Sequence, residues 1–127
     1  MELLLRTERA SAVGAVLERS GPAIVPAHFD AEVYQALRRG YLRRNFDRER
    51  LSLTVDRLER FDADRIEITS LLPTVVGLAD VIGAHDVFYV LLAISRGCPL
   101  LTCDAALARA ATRLGVAVFG LDPSRPA

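Results

Sequence analysis

Short apolar runs alternate along this chain with segments whose apolar residues recur every three or four positions. The runs at Ala23–Pro26, 66–68, 100–103 and 116–119 predict four strands. The last run is continuously apolar, which is typical of a parallel strand covered on both faces. Strands separated by helices indicate an α/β fold with a mainly parallel sheet.

The helical pattern begins with a stripe over residues 10–17, which ends near Ser20-Gly21-Pro22. We therefore expect the first element to be a helix that starts almost at Met1, with no strand before it. A second helix opens at Phe29-Asp30, with an inner face that includes Val33, Leu37 and Gly40. The remaining predicted helices cover residues 51–61, 73–82, 86–96 with Gly97 as the stop signal, and 107–114.

Composition limits the classes of protein that this chain can form. Its 127 residues are enough for one domain, 1–127, with a real core. The formal net charge is zero, so nucleic acid would have to be bound by a local patch. All 16 basic residues are arginine. No apolar run is long enough to span a membrane and no signal-peptide pattern is present, which predicts a cytoplasmic protein.

Four acidic residues lie where predicted strands end or helices begin: Asp30, Glu32, Asp86 and Asp104. Aspartate often caps a helix, and capping is the simpler interpretation of Asp30. For Asp86 and Asp104, both capping and a functional role remain open. Glu32 lies inside its helix, so capping explains it less well. Because the carboxyl ends of parallel strands share one edge of a sheet, these carboxylates can meet there.

Clustered carboxylates repel one another unless a cation neutralises them. Mg²⁺ or Mn²⁺ is the natural cation because it prefers oxygen ligands and keeps waters that can bind phosphate. Such an ion can activate water at a scissile phosphate. The pattern therefore favours phosphodiester hydrolysis.

Other polar residues fit this chemistry less specifically. Thr102 lies two residues before Asp104 and therefore on the same side of the strand. It can donate a hydrogen bond to a carboxylate or a metal-bound water, or it can simply be a β-branched residue suited to a strand. Arg39 and Arg43 follow Glu32 along one helix face, where they suit an RNA backbone or merely a solvated helix end. His28 and His85 have no histidine or cysteine at metal-ligand spacing, so we interpret them as ordinary loop residues.

Three stretches resemble PIN-domain proteins, specifically the VapC-type toxins of bacterial toxin–antitoxin pairs. They are residues 26–33 (PAHFDAEV) with 36–39 (ALRR), residues 85–90 (HDVFYV) and residues 100–104 (LLTCD). The resemblance implies a PIN-like three-layer α/β sandwich with a five-stranded parallel sheet, and a Mg²⁺- or Mn²⁺-dependent ribonuclease. It matches Glu32, Asp86 and Asp104 to acidic residues of the family site, and Thr102 to its frequent Ser or Thr. It also implies a homodimer silenced by a VapB-like antitoxin.

The chain departs from this family at its start. Members normally open with a strand that carries the first catalytic aspartate, whereas Met1 here falls within the helix that follows. We expect a misplaced start codon to explain this, rather than a truncation with a rearranged sheet or a degenerate member. The alternative function is an impaired PIN-like module that binds an antitoxin or RNA without cleavage.

Overall fold

A computed structural model describes residues 23–102 and 104–120. The predicted helix over 10–17 and the residue Cys103 lie outside these ranges. The described elements, in chain order, are β1 (Ala23–Pro26), α1 (Phe29–Leu42), α2 (Arg48–Glu59), β2 (Ala63–Ile66), α3 (Leu72–Val75) with 3₁₀ turns at Thr69–Leu71 and Val76–Leu78, α4 (Asp86–Arg96), β3 (Leu100–Thr102), α5 (Ala105–Arg113) and β4 (Val118–Gly120).

The described strands pair in parallel, as the α/β pattern predicts. β1 pairs with β2, with Ala23 opposite Ala63, and β3 pairs with β4, with Leu100 opposite Val118. Within residues 23–102 and 104–120, these pairs form two separate two-stranded sheets. α4 contacts both β1 and β3, so it spans the two sheets. This placement brings the beginning of α4 near the segments that follow β1 and β3.

The core lies around α1 and α4. α1 buries Phe29, Val33 and Leu37, three of the positions that the helical spacing predicts. Val25 of β1 and Val90 of α4 are fully buried. Each such side chain contributes about 1.5–3 kcal/mol by leaving water, which fixes these elements against one another.

Two glycines serve the backbone in ways that other residues would not. Gly97 ends α4 in the left-handed region, at φ 61°, as the sequence predicts for a helix stop. Gly40 faces the ring of Phe46, and an added Cβ would lie 2.6 Å from a ring carbon. This close approach lets the chain turn from α1 towards α2.

Three sequence predictions are wrong in detail. The second strand covers Ala63–Ile66 instead of 66–68, because its register with β1 places Ile66 opposite Pro26 at the strand end. Residues 73–82 do not form one helix, since only Leu72–Val75 is α-helical and 3₁₀ turns flank it. The last strand is not covered on both faces, because Phe119 is 60% exposed.

Arg65 of β2 forms an ion pair with Asp30 of α1. The Arg65 guanidinium donates two hydrogen bonds to the Asp30 carboxylate, at 2.7 and 3.0 Å. Further bonds reach the carbonyl oxygens of Leu58, Phe61 and Ala63. Asp30 therefore ties α1 to β2. The expectation that Asp30 caps its helix is wrong, because no side chain of the described residues caps α1.

Replacing Arg65 with methionine should lower the free energy of unfolding by about 1 kcal/mol, since a bidentate but partly exposed ion pair is lost. Urea unfolding measures the change, and Arg109→Met on the exposed surface of α5 is the matched control. Equal stability of the two variants would show that the pair contributes nothing to the fold.

Cys98, which follows α4, is a half-buried free thiol. Among the described residues, no helix is both long enough and apolar enough to cross a membrane.

Candidate functional site

Three acidic residues that the sequence predicts to be functional each lie at the start of a different helix. Glu32 lies in the first turn of α1, Asp86 is the first residue of α4, and Asp104 is the N-cap of α5. Burial raises the pKa of the Asp86 carboxyl above its ordinary value, and the negative charges of Asp104 and Glu32 raise it further. His85 acts in the opposite direction. The charges of Glu32 and Asp104 thus act on Asp86.

Asp104 is held firmly at the end of β3. Its Oδ1 accepts hydrogen bonds from the backbone N–H groups of Ala106 and Leu107, at 2.8 and 3.1 Å. Its own N–H donates to the hydroxyl of Thr102, which is 1% exposed. Capping engages only Oδ1, so the two interpretations of Asp104 are compatible. Thr102 positions the backbone from which that carboxylate projects.

Glu32 is oriented by two groups from different parts of the chain. Its Oε1 accepts a hydrogen bond from the Tyr89 hydroxyl at 3.0 Å and lies 2.8 Å from Nε2 of His28. Tyr89 is 2% exposed and belongs to α4. The sequence predicts no role for Tyr89, because the Glu32 that it bonds is 57 residues away. A buried tyrosine usually bonds a polar partner, and that tendency was the available signal.

An open cavity of about 390 Å³ lies between α1 and the start of α4. Glu32 and Arg39 line it from α1, and His85, Asp86 and Tyr89 line it from the other side. Negative and positive side chains thus share one cavity. Arg43 follows the end of α1 and is exposed, and it does not line this cavity.

The two histidines also meet near Glu32. One ligand atom from each of His28, Glu32 and His85 lies within 4.8 Å of the other two. The interpretation of these histidines as unrelated loop residues therefore missed their proximity. The spacing of four between His28 and Glu32 at a helix start was the one local signal for it.

Comparison with known proteins identifies the family of this chain. The family model for the PIN domain matches residues 1–113. Ribonuclease VapC3 of Mycobacterium tuberculosis is 38% identical over 111 residues, which cover 87% of this chain and 80% of that protein. Ribonuclease VapC12 of the same organism is 34% identical over 110 residues, 86% of this chain and 84% of that protein. No solved structure shows significant similarity to the chain.

An α/β fold with parallel strands is the fold class of a PIN domain, and the matching family model makes that assignment specific. The chain belongs to the PIN-domain family and is of the VapC type. The resemblance seen in residues 26–33, 85–90 and 100–104 is thereby confirmed.

Proposed function

We propose that this chain is a Mg²⁺- or Mn²⁺-dependent endoribonuclease, and the toxin of a type II toxin–antitoxin system. The observation that carries the proposal is the cavity that Glu32, Asp86 and Arg39 line together, where the negative charges of Glu32 and Asp104 act on Asp86. Such mutual repulsion weakens a fold unless a cation relieves it. The ribonuclease names of the similar VapC proteins support the same reaction.

The chemistry of these residues fits a hard divalent cation. Glu32, Asp86 and Asp104 offer carboxylate oxygens, and Oδ2 of Asp104 takes no part in the capping bonds. Asp86 is half-buried, so its carboxylate is poorly solvated and gains most from a positive charge. A bound Mg²⁺ or Mn²⁺ supplies a Lewis acid and lowers the pKa of bound water.

The chain's own side chains orient this chemistry. Tyr89 orients Glu32, and Thr102 fixes the backbone of Asp104, which limits the reorganisation that cation binding requires of these two carboxylates. Arg39 lies in the same cavity as Glu32 and Asp86, where a guanidinium can pair with an RNA phosphate. We assign Arg43 to a neighbouring phosphate, further from the site of cleavage.

Arg39→Ala should raise KM for RNA by about tenfold, because a phosphate contact within the cavity is lost. Arg43→Ala should raise KM less, since Arg43 lies outside the cavity. Cleavage at several salt concentrations measures both, and the salt dependence should become shallower in Arg39→Ala. Identical kinetics of Arg39→Ala and the parent would remove Arg39 from the RNA contact.

Tyr89→Phe should weaken Mn²⁺ binding by about tenfold, because Glu32 loses the hydroxyl that orients it. The substitution keeps the buried ring and therefore most of the packing. Electron paramagnetic resonance of free Mn²⁺ measures the affinity, with Tyr34→Phe on the exposed part of α1 as the control. Unchanged affinity in Tyr89→Phe would show that this hydrogen bond serves the fold alone.

The VapC type also suggests partners. We propose that the chain forms a homodimer and pairs with a VapB-like antitoxin in the cytoplasm, where RNA is available. Apolar side chains on α1 and α2 remain exposed, and a protein partner would cover them. They are Tyr34, Leu42 and Leu53.

Cleavage of structured RNA by the metal-stripped chain tests the activity. Products should form on addition of Mn²⁺ or Mg²⁺ and cease to form with excess EDTA. The alternative is a PIN-like module that binds RNA or an antitoxin without cutting. RNA binding with no product at saturating Mn²⁺ would support that alternative.

A further inference from the structure

We propose that His28, Glu32 and His85 form a second cation site, suited to a transition-metal ion such as Zn²⁺, which shares Glu32 with the carboxylate cluster. The site lies where the start of α1 meets the segment before α4. Its ligand atoms already lie within 4.8 Å of one another.

The contacts show how nearly this site is formed. Nε2 of His28 lies 2.8 Å from Oε1 of Glu32 and 3.2 Å from the carbonyl oxygen of His85. The two imidazole rings are 5.9 Å apart between centroids. Ligand atoms around tetrahedral Zn²⁺ are separated by about 3.4 Å, given Zn–N bonds of about 2.0–2.1 Å. The His85 side chain is exposed, which leaves it room to rotate towards the other two ligands.

His28 is held in place by its neighbours. Its ring meets Phe88 and Tyr89 edge to face, with centroids 5.5 and 5.4 Å away. Nδ1 of His28 is buried without a hydrogen-bond partner among the described residues, whereas Nε2 faces Glu32. The ring therefore presents one nitrogen to the cluster. The Tyr89 hydroxyl donates to Oε1 of Glu32 and so helps to orient it, as hydrogen-bond partners of metal ligands commonly do.

The donor set determines which ion this site prefers. Two imidazole nitrogens and one carboxylate oxygen suit Zn²⁺, whereas Mg²⁺ prefers oxygen ligands throughout. Asp86 and Asp104 belong to the oxygen-rich cluster and not to this one. Because Glu32 serves both sites, an ion bound between the histidines should reduce the affinity of the carboxylate cluster for Mn²⁺.

Competition with a chromophoric chelator measures Zn²⁺ affinity, and electron paramagnetic resonance measures Mn²⁺ affinity, both on the metal-stripped full chain. His85→Ala should weaken Zn²⁺ binding at least about tenfold and leave Mn²⁺ binding within about twofold of the parent. Asp86→Asn should have the opposite pattern. His85 is exposed, so its replacement is not expected to disturb the fold.

Unchanged Zn²⁺ affinity in His85→Ala would overturn the proposal. The proposal would also fail if Asp86→Asn lost Zn²⁺ affinity by as large a factor as it lost Mn²⁺ affinity. Saturating Zn²⁺ should also release Mn²⁺ from the parent, and simultaneous tight binding of both ions would contradict the shared Glu32. Failure of the ribonuclease proposal is separately visible, because it concerns Mn²⁺ binding and RNA cleavage and not the histidine variant.

Discussion

Asp86→Asn should reduce RNA cleavage by about a hundredfold or more while leaving the protein folded. Asparagine keeps the shape of the side chain but removes the negative charge on which Glu32 and Asp104 act. A cation held by Glu32 and Asp104 alone would be bound more weakly and oriented less well. Initial rates on one RNA substrate, at saturating Mn²⁺, measure the loss.

The same variant should be more stable than the parent when no metal is present. Burial and the charges of Glu32 and Asp104 raise the pKa of Asp86 above its ordinary 3.8. The folded protein therefore binds this proton more tightly than the unfolded chain, so stability falls as pH rises through the raised pKa. At neutral pH the charged carboxylate opposes folding, and asparagine removes that opposition.

Thermal unfolding in EDTA measures this gain, which we expect to be up to about 1 kcal/mol, given the partial exposure of Asp86. The difference between variant and parent should shrink as pH falls, because Asp86 becomes protonated in the parent. Asp80→Asn, in the exposed turn before α4, is the matched control. A metal-free Asp86→Asn protein that melts below the parent would contradict the proposed repulsion.

Two substitutions of Asp104 should separate its structural role from the catalytic role that we propose for it. Asp104→Asn keeps an oxygen that can accept the bonds from Ala106 and Leu107, so stability should change little. Cleavage should nevertheless fall by about a hundredfold, because a charged ligand is lost. Asp104→Ala should lose the same activity and about 1 kcal/mol of stability as well.

Chemical denaturation and cleavage rates together measure both effects of these substitutions. An Asp104→Asn protein with full activity would show that Asp104 only caps α5. Equal stability of the asparagine and alanine variants would instead show that the capping bonds contribute little.

The sequence predicted best those features that arise from local patterns. β1 and α1 have the expected bounds. At both elements the spacing of apolar residues and the neighbouring turn residues predict the same limits. Gly97 likewise marks the end of α4. The family was recognisable because its motifs surround Asp86 and Asp104. The sequence places both residues directly, one at the start of a helix and the other just after a strand.

Features that depend on distant partners were not predictable in the same way. Arg65 is a charged residue that the strand pattern excluded, but its bonds to Asp30 hold it within β2. Tyr89 and Glu32 are far apart in sequence, and His28 meets His85 only because α1 and α4 converge. Such contacts follow from packing, which periodicity does not specify.

The central claim is that Glu32, Asp86 and Asp104 form one cation site, and Mn²⁺ titration followed by electron paramagnetic resonance tests it most directly. The metal-stripped parent should bind Mn²⁺ saturably, and Glu32→Gln, Asp86→Asn and Asp104→Asn should each weaken binding at least about tenfold. A parent that binds no Mn²⁺, or three variants that bind it as tightly as the parent, would contradict the claim.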